Sequence, residues 1–209
     1  MKNAYFHFVL FLMVPVLVFS QSLDNIDEIA PFNDGIAAVR KGKQWGFINT
    51  DGVLVIDFRD DLHWNTAPNK SSRDITGTGY PVFKEGRCIV KKMVDEIPIY
   101  GFIDTKGNLV IDYQFLNVSN FNNGYTTGVV FDKVFRGNNE FNLKIYDYKF
   151  HDVLMDLSGE IVEFFDRRYN IQMTKRRYQL PKLGAKLLAD NLIALRTKEN
   201  GWKIRTLQL

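Results

Sequence analysis

The stretches FINTDGVLVI from Phe47, FIDTKGNLVI from Phe102 and LMDLSGEIVE from Leu154 are three spellings of one pattern, with glycines at positions 52, 107 and 159. In each, an apolar run meets a polar turn closed by glycine, and a second apolar run follows. Two antiparallel strands joined by a tight hairpin have this pattern. Its recurrence every ~50 residues makes the chain an array of one supersecondary unit, because stacked copies bury together a face that no copy can bury alone.

A second landmark precedes each copy: FNDGIAAV at Phe32, FKEGRCIV at Phe83, FNNGYTTGVV at Phe121 and a worn LADNLIAL at Leu188. An apolar anchor and two polar residues lead to Gly35, Gly86, Gly124 or Asn191. Glycine and, less often, asparagine accept positive φ, so a sharp turn into a strand is expected there. WGFIN (Trp45 to Asn49) and YGFID (Tyr100 to Asp104) supply the next strand, and LVI after Gly52 and Gly107 the third. The span between the two glycines of a unit is 17 residues in the first copy (35 to 52), 21 in the second (86 to 107) and 35 in the third (124 to 159). The excess in the third is expected to leave as a loop or extra hairpin. Phe131 to Phe150 carries alternating aromatics and a Gly-Asn-Asn turn suited to that. The fold class is therefore all-β: tandem antiparallel three-stranded units in a curved array, solenoid-like or propeller-like, with closure left open. One domain, residues 21–209, holds units at about 32–58, 83–115 and 121–163 and a degenerate half unit at 187–204.

The combination F-x-x-G-x-A-x-V followed by W-G-F-I-x-x-x-G-x-x-V-I resembles the WG-containing repeat, found in bacterial proteins and often in exported ones. Residues 32 to 58 fit closely, with Gly35, Trp45, Gly46 and Gly52 in the pattern's fixed places. Residues 83 to 115 keep Gly86, Gly101 and Gly107 but carry Tyr100 for the tryptophan and Cys88 for the alanine. The third copy keeps Gly124 and Gly159 and loses the W-G pair; the fourth has Gly201-Trp202 in inverted order. The resemblance implies a structural or interaction module, with no catalytic or cofactor-binding residues to carry over.

Lys2 followed by the nearly unbroken apolar run Ala4 to Phe19, with Val18-Phe19-Ser20 before Gln21, reads as a cleaved secretory signal over residues 1–20. The alternative is an uncleaved anchor, for which the run is at the short limit. The expected location is periplasmic or secreted. Cys88, the single cysteine, cannot form an internal disulfide and is expected to pack in a strand. Without the signal the chain carries a net charge of +2, since Lys2 is the only charged residue removed, divided as −7 over residues 21–166 and +9 over 167–209.

Two readings of that basic end stand side by side. Arg167, Arg168, Lys175, Arg176 and Arg177, interleaved with Tyr169 and Tyr178, would suit a peripheral contact with an anionic surface. Equally, lysine and arginine would give the last repeat a polar cap and protect its strand edge. Between the first two copies, Arg59 to Pro81 breaks the pattern and carries His63-Trp64. A loop of this length is uncommon unless functional or mobile, and Trp64 would either anchor a sugar or protein partner or fold back as a plug over the core's edge.

Catalytic signals are sparse. His63 and His151 are far apart, metal-ligand spacing is lacking, and neither a nucleophile elbow nor a phosphate-binding glycine loop occurs. Asp51, Asp104 and Asp156 are expected to cap hairpin turns. The sequence thus points to a non-enzymatic module, without cofactor or metal, whose partner is an unknown protein or envelope polysaccharide rather than nucleic acid. The rivals are an envelope glycan hydrolase using carboxylates of the inserted segments and a purely structural spacer.

Overall fold

The computed structural model describes residues 23–169 and 171–208; the expected signal segment, residues 1–20, lies outside them. The described residues form three antiparallel sheets. The first holds β1 (Glu28–Ile29), β2 (Ile36–Lys41), β3 (Gln44–Asn49) and β4 (Leu54–Arg59), in that order. The second holds β5 (Cys88–Val94), β6 (Ile97–Ile103), β7 (Leu109–Val118), β8 (Tyr125–Asn138), β9 (Lys144–Asp156) and β10 (Ile161–Arg168), again in chain order. The third holds β11 (Ala185–Ala189), β12 (Leu192–Arg196) and β13 (Trp202–Thr206). The array is all-β, and among the described residues no sheet closes into a barrel.

The first three units open with the expected turn, and both of its central residues are left-handed: Asp34 (φ 50°) and Gly35 (79°), Glu85 (53°) and Gly86 (70°), Asn123 (54°) and Gly124 (80°). Two left-handed residues make a type I′ turn, whose twist matches that of the flanking strands. The first central residue also links units. Asp34 Oδ2 accepts from the Gly86 amide at 2.9 Å, and Glu85 Oε2 accepts from the Gly124 amide at 2.8 Å. Each carboxylate thereby ties its own turn to the next. Asn191 lies in the β11–β12 turn without the left-handed φ of its three counterparts.

The second turn of each unit is held by the residue that ends the middle strand. Asn49 Oδ1 accepts from the amides of Asp51 (3.0 Å) and Val53 (2.9 Å), and Asp104 and Asp156 do the same two and four residues on. Asp51 is therefore not the capping residue expected from its place beside the glycine; it makes only a 3.4 Å contact with Asn49. The same turn recurs at Asn139, with Asn142 (φ 64°) in the glycine's place. Consequently the insertion in the third unit turns at Asn139–Leu143 and not at Gly137-Asn138-Asn139. Gly137 instead sits at a bulge within β8. The insertion lengthens the hairpin β8–β9 and adds no separate one.

The third strand of a unit serves two units. Beyond β4 the chain leaves the first sheet, and residues 61–63 pair with β5: Leu62 bridges Val90, Lys91 N–H donates to Asp61 O (2.7 Å) and His63 N–H to Ile89 O (3.1 Å). β7 makes the same passage unbroken, with Ile111 opposite Phe102 at one end and Asn117 opposite Val129 at the other. The passage needs a bulge, placed opposite the repeat's second glycine. An added Cβ would lie 2.9 Å from Ile56 O at Gly46 and 2.6 Å from Ile111 O at Gly101. In the third unit Val153 stands at this point, and the corresponding bulge falls further along, between Phe164 and Arg167. Four apolar clusters fill the interior; Ile103 with Phe83 and Val90 joins the first sheet to the second, and Leu154 with Ala185 and Ile193 joins the second to the third.

Gly101→Ala should therefore destabilise the protein by roughly 2 kcal/mol, through overpacking against a backbone carbonyl. Lys106→Ala, on the exposed turn nearby, should cost under ~0.5 kcal/mol. Chemical denaturation of both variants checks the difference, and equal midpoints would contradict the bulge assignment.

Candidate functional site

The His63-Trp64 pair, which the sequence places on a long loop, is a plug. Trp45 of the first unit is buried and meets Trp64 edge-on at 5.7 Å, while Tyr100, its counterpart in the second, meets His63 edge-on at 5.0 Å. Two adjacent loop residues thus cover the signature aromatics of two units. Trp64 is half-buried, and His63 is only 4% exposed. The rest of Arg59 to Pro81 is held by a 3-10 turn (Ile75–Gly77) and by Asn65, whose amide group donates to Ile75 O (2.6 Å) and Thr78 O (3.0 Å). Asp74 accepts from Ser72, Thr76 and Asn117. Burial opposes its charge, yet these hydrogen bonds prevail and hold the carboxyl below its usual range.

The five basic candidates differ in what holds them. Arg168 forms a two-pronged ion pair with Asp152, which is 4% exposed, and also donates to Lys182 O at 2.7 Å. The Gly184 amide donates to the same carboxylate at 2.9 Å. Arg168 is a fixture of the fold, because removing it would strand a buried charge. Lys175 pairs with Glu96 at the surface. Arg167 lies over the ring of Tyr169, and Arg176 and Arg177 are exposed with no carboxylate partner among the described residues. Residues 171–184, which carry Arg176 and Arg177, form a strap across the second sheet. Ile171, Met173 and Tyr178 pack on Ile97, Ile99, Leu116 and Phe150, and Tyr178 donates to Leu116 O at 3.3 Å. Burial pushes the Tyr178 hydroxyl up to about 12. The strap itself lines a shallow cleft of about 370 Å³, to which Gln172, Arg177 and Gln179 contribute.

Among the large apolar side chains of the described residues the most exposed, Phe141, lies on the lengthened hairpin. The β8–β9 ladder runs out to Asn138 opposite Lys144, whereas β7 pairs with β8 only as far as Val130 and β10 with β9 only as far as Phe150. Residues 132–149 are therefore a two-stranded ribbon. Rings follow one another up one face: Phe150 and Tyr148 stack at 6.1 Å, Phe131 lies 6.3 Å from Tyr148, and Phe135 lies 5.5 Å from Tyr146. Lys133 sits over Tyr146 at 4.5 Å. The root packs on the core, while Phe135 (53% exposed), Phe141 (81%) and Leu143 (63%) face solvent near the tip. The alternating aromatics announced the hairpin, but no local signal shows that a strand lacks a neighbour.

Among the described residues no group of acidic, histidine or cysteine side chains is placed to hold a metal. Cys88 is buried, and that burial pushes its thiol well above the ordinary range. Asp61 is held by Arg59 (2.5 and 2.7 Å).

His63 makes a pH test available. Its Nε2 lies 2.8 Å from Ile75 O, and burial pushes its pKa down to about 4 from the ordinary 6.5. The unfolded chain thus takes up a proton that the folded one resists, so stability is complete above pH 6.5 and declines as pH falls toward 4. The expected loss is on the order of 3 kcal/mol. Denaturation at pH 7 and pH 4.5 should show most of it, and His63→Gln should flatten the dependence. An unchanged slope in that variant would assign the loss to other groups.

No curated protein and no solved structure matches the chain significantly. The family described as WG containing repeat matches residues 25–45, 45–59 and 100–133. The first two matches adjoin over the first sheet, and the third runs from Tyr100 into β8. Over these segments, which hold Gly35, Gly46, Gly52, Gly101, Gly107 and Gly124, the chain is similar to the WG-containing repeat.

Proposed function

We propose that this repeat array is an exported, non-enzymatic interaction module of the cell envelope, which holds a protein or an envelope polysaccharide on the ribbon of β8 and β9. The observation that carries the proposal is the exposed apolar side chains of that ribbon, with Phe135 and Tyr146 paired on one face, Ile145 on the other, and Phe141 and Leu143 near the tip. Contiguous exposed apolar surface marks interaction sites, and aromatic faces serve sugars and proteins alike. The core-packed root holds the ribbon out as a rigid arm. Export is supported by the apolar run and cleavage pattern of residues 1–20. The repeat scaffold offers rigid, mutually braced turns, a frame suited to presenting a surface.

The Phe135→Ser, Tyr146→Ser double variant should keep its melting temperature within a few degrees, since both rings stand outside the core. Capture of envelope components or binding to immobilised polysaccharide should fall at least about tenfold relative to wild type. Undiminished capture would move the site away from the ribbon. Intact mass of the protein from expressing cells should begin at Gln21; a full-length mass in the membrane fraction would overturn export.

A further inference from the structure

We propose that the open edge of β13 binds an extended polypeptide segment with acidic residues at alternate positions, added to the third sheet as a fourth strand. The repeat supplies the first observation. Trp202 occupies in the fourth unit the place of Trp45 in the first, so β13 corresponds to β3, and β3 is flanked by strands on both sides. Among the described residues β13 is flanked by β12 alone. Its hydrogen-bond phase follows from the bonds at either end of the ladder, Thr197 N–H to Gly201 O (3.0 Å) and Leu207 N–H to Asn191 O (2.7 Å). Lys203 and Arg205 turn their backbone groups toward β12, while Trp202, Ile204 and Thr206 turn theirs outward. An edge with free donors and acceptors is a template for strand addition.

Charge and shape select the occupant. Lys203 is exposed with no ion partner among the described residues, and Arg205 beside it pairs with Glu163. Lys186 and Arg196 flank the ring of Trp202 at 4.6 and 5.2 Å, and Ile204 is 59% exposed on that same face. A strand laid alongside would set every second residue beside Lys203 and Arg205 and the intervening ones beside Trp202 and Ile204. Acidic residues at the first positions and apolar ones at the second satisfy both faces. A second copy of β13 is a poor occupant, because antiparallel pairing centred on Ile204 would set Lys203 against Arg205 of the other copy. Nor does the edge suit the bulged third strand of the earlier units, since Lys203 stands where Gly46 and Gly101 make room for a carbonyl. The surface is independent of the ribbon on β8 and β9.

The test is titration of the purified protein with a capped peptide of four Glu-Val repeats, followed by amide exchange and the Trp202 indole resonance. The expected result is slowed exchange at Trp202, Ile204 and Thr206, a shifted Trp202 signal, and binding that weakens as salt rises. The corresponding Lys-Val peptide should not bind. Ile204→Pro removes an outward N–H, leaving the bonds to β12 in place, and should weaken binding at least about tenfold. Lys203→Glu should do so through charge, and Thr206→Pro serves if Ile204→Pro does not fold. Three results would overturn the proposal: no protection at the three amides, equal binding by wild type and the proline variant, or concentration-dependent protection without peptide, which would assign the edge to a second copy.

Discussion

The array depends on strands that serve two units at once. A strand that pairs with one sheet and then with the next must rotate between them, and a bulge supplies the rotation where regular pairing would forbid it. The bulge brings a carbonyl against the opposite backbone, to a point where an added Cβ would lie 2.9 Å (Gly46) or 2.6 Å (Gly101) from the oxygen. The glycine of the W-G pair is thus required by the join between units. The aromatic before it fills the space under that join, as Trp45 does beneath Trp64 and Tyr100 beside His63. Where the glycine is lost, at Val153, the bulge moves along the strand, and the strap of residues 171–184 stands before the third sheet.

A second link runs along the turns. Left-handed φ is uncommon for a residue with a side chain, yet Asp34 and Glu85 hold it at 50° and 53°. That conformation places each carboxylate where it accepts from the turn glycine of the following unit. Backbone strain in one turn is offset by a charge-assisted hydrogen bond to the next, which is a reason for an acid before the glycine in FNDG and FKEG. Asn123 keeps the conformation in the third unit. The units are therefore coupled at two levels, through shared strands within the sheets and through carboxylates at their rims.

The repeat, the left-handed glycines and the all-β class were legible because backbone conformation constrains residue type locally. What escaped depended on partners distant in sequence. Asn49 and Asp51 are both good turn residues, and only the position of the strand end decides that Asn49 caps. That Trp64 folds back as a plug was open to the sequence, but not that it and His63 would cover aromatic residues of two different units. Arg168 reads as one cation of a cluster until Asp152, sixteen residues away, is placed beneath it. In the same way the aromatics of β8 and β9 announced a hairpin but not its isolation from both neighbouring strands.

The basic end illustrates why a charge count is a poor guide to a surface. Some of its arginines and lysines are used in a part-buried ion pair at Arg168, pairs at Lys175 and Arg205, and contacts with the rings of Tyr169 and Trp202, while Arg176, Arg177 and Lys203 stand exposed without an ion partner among the described residues. Capping and binding, which look like alternatives in the sequence, need not exclude each other. Like charges on an open strand oppose the addition of an identical strand, because antiparallel partners would set cation against cation. The repulsion that guards β13 against its own kind is an attraction toward a strand of opposite charge. Protection from self-association and selection of a partner are then two consequences of the same side chains, Lys203 and Arg205, at the same edge.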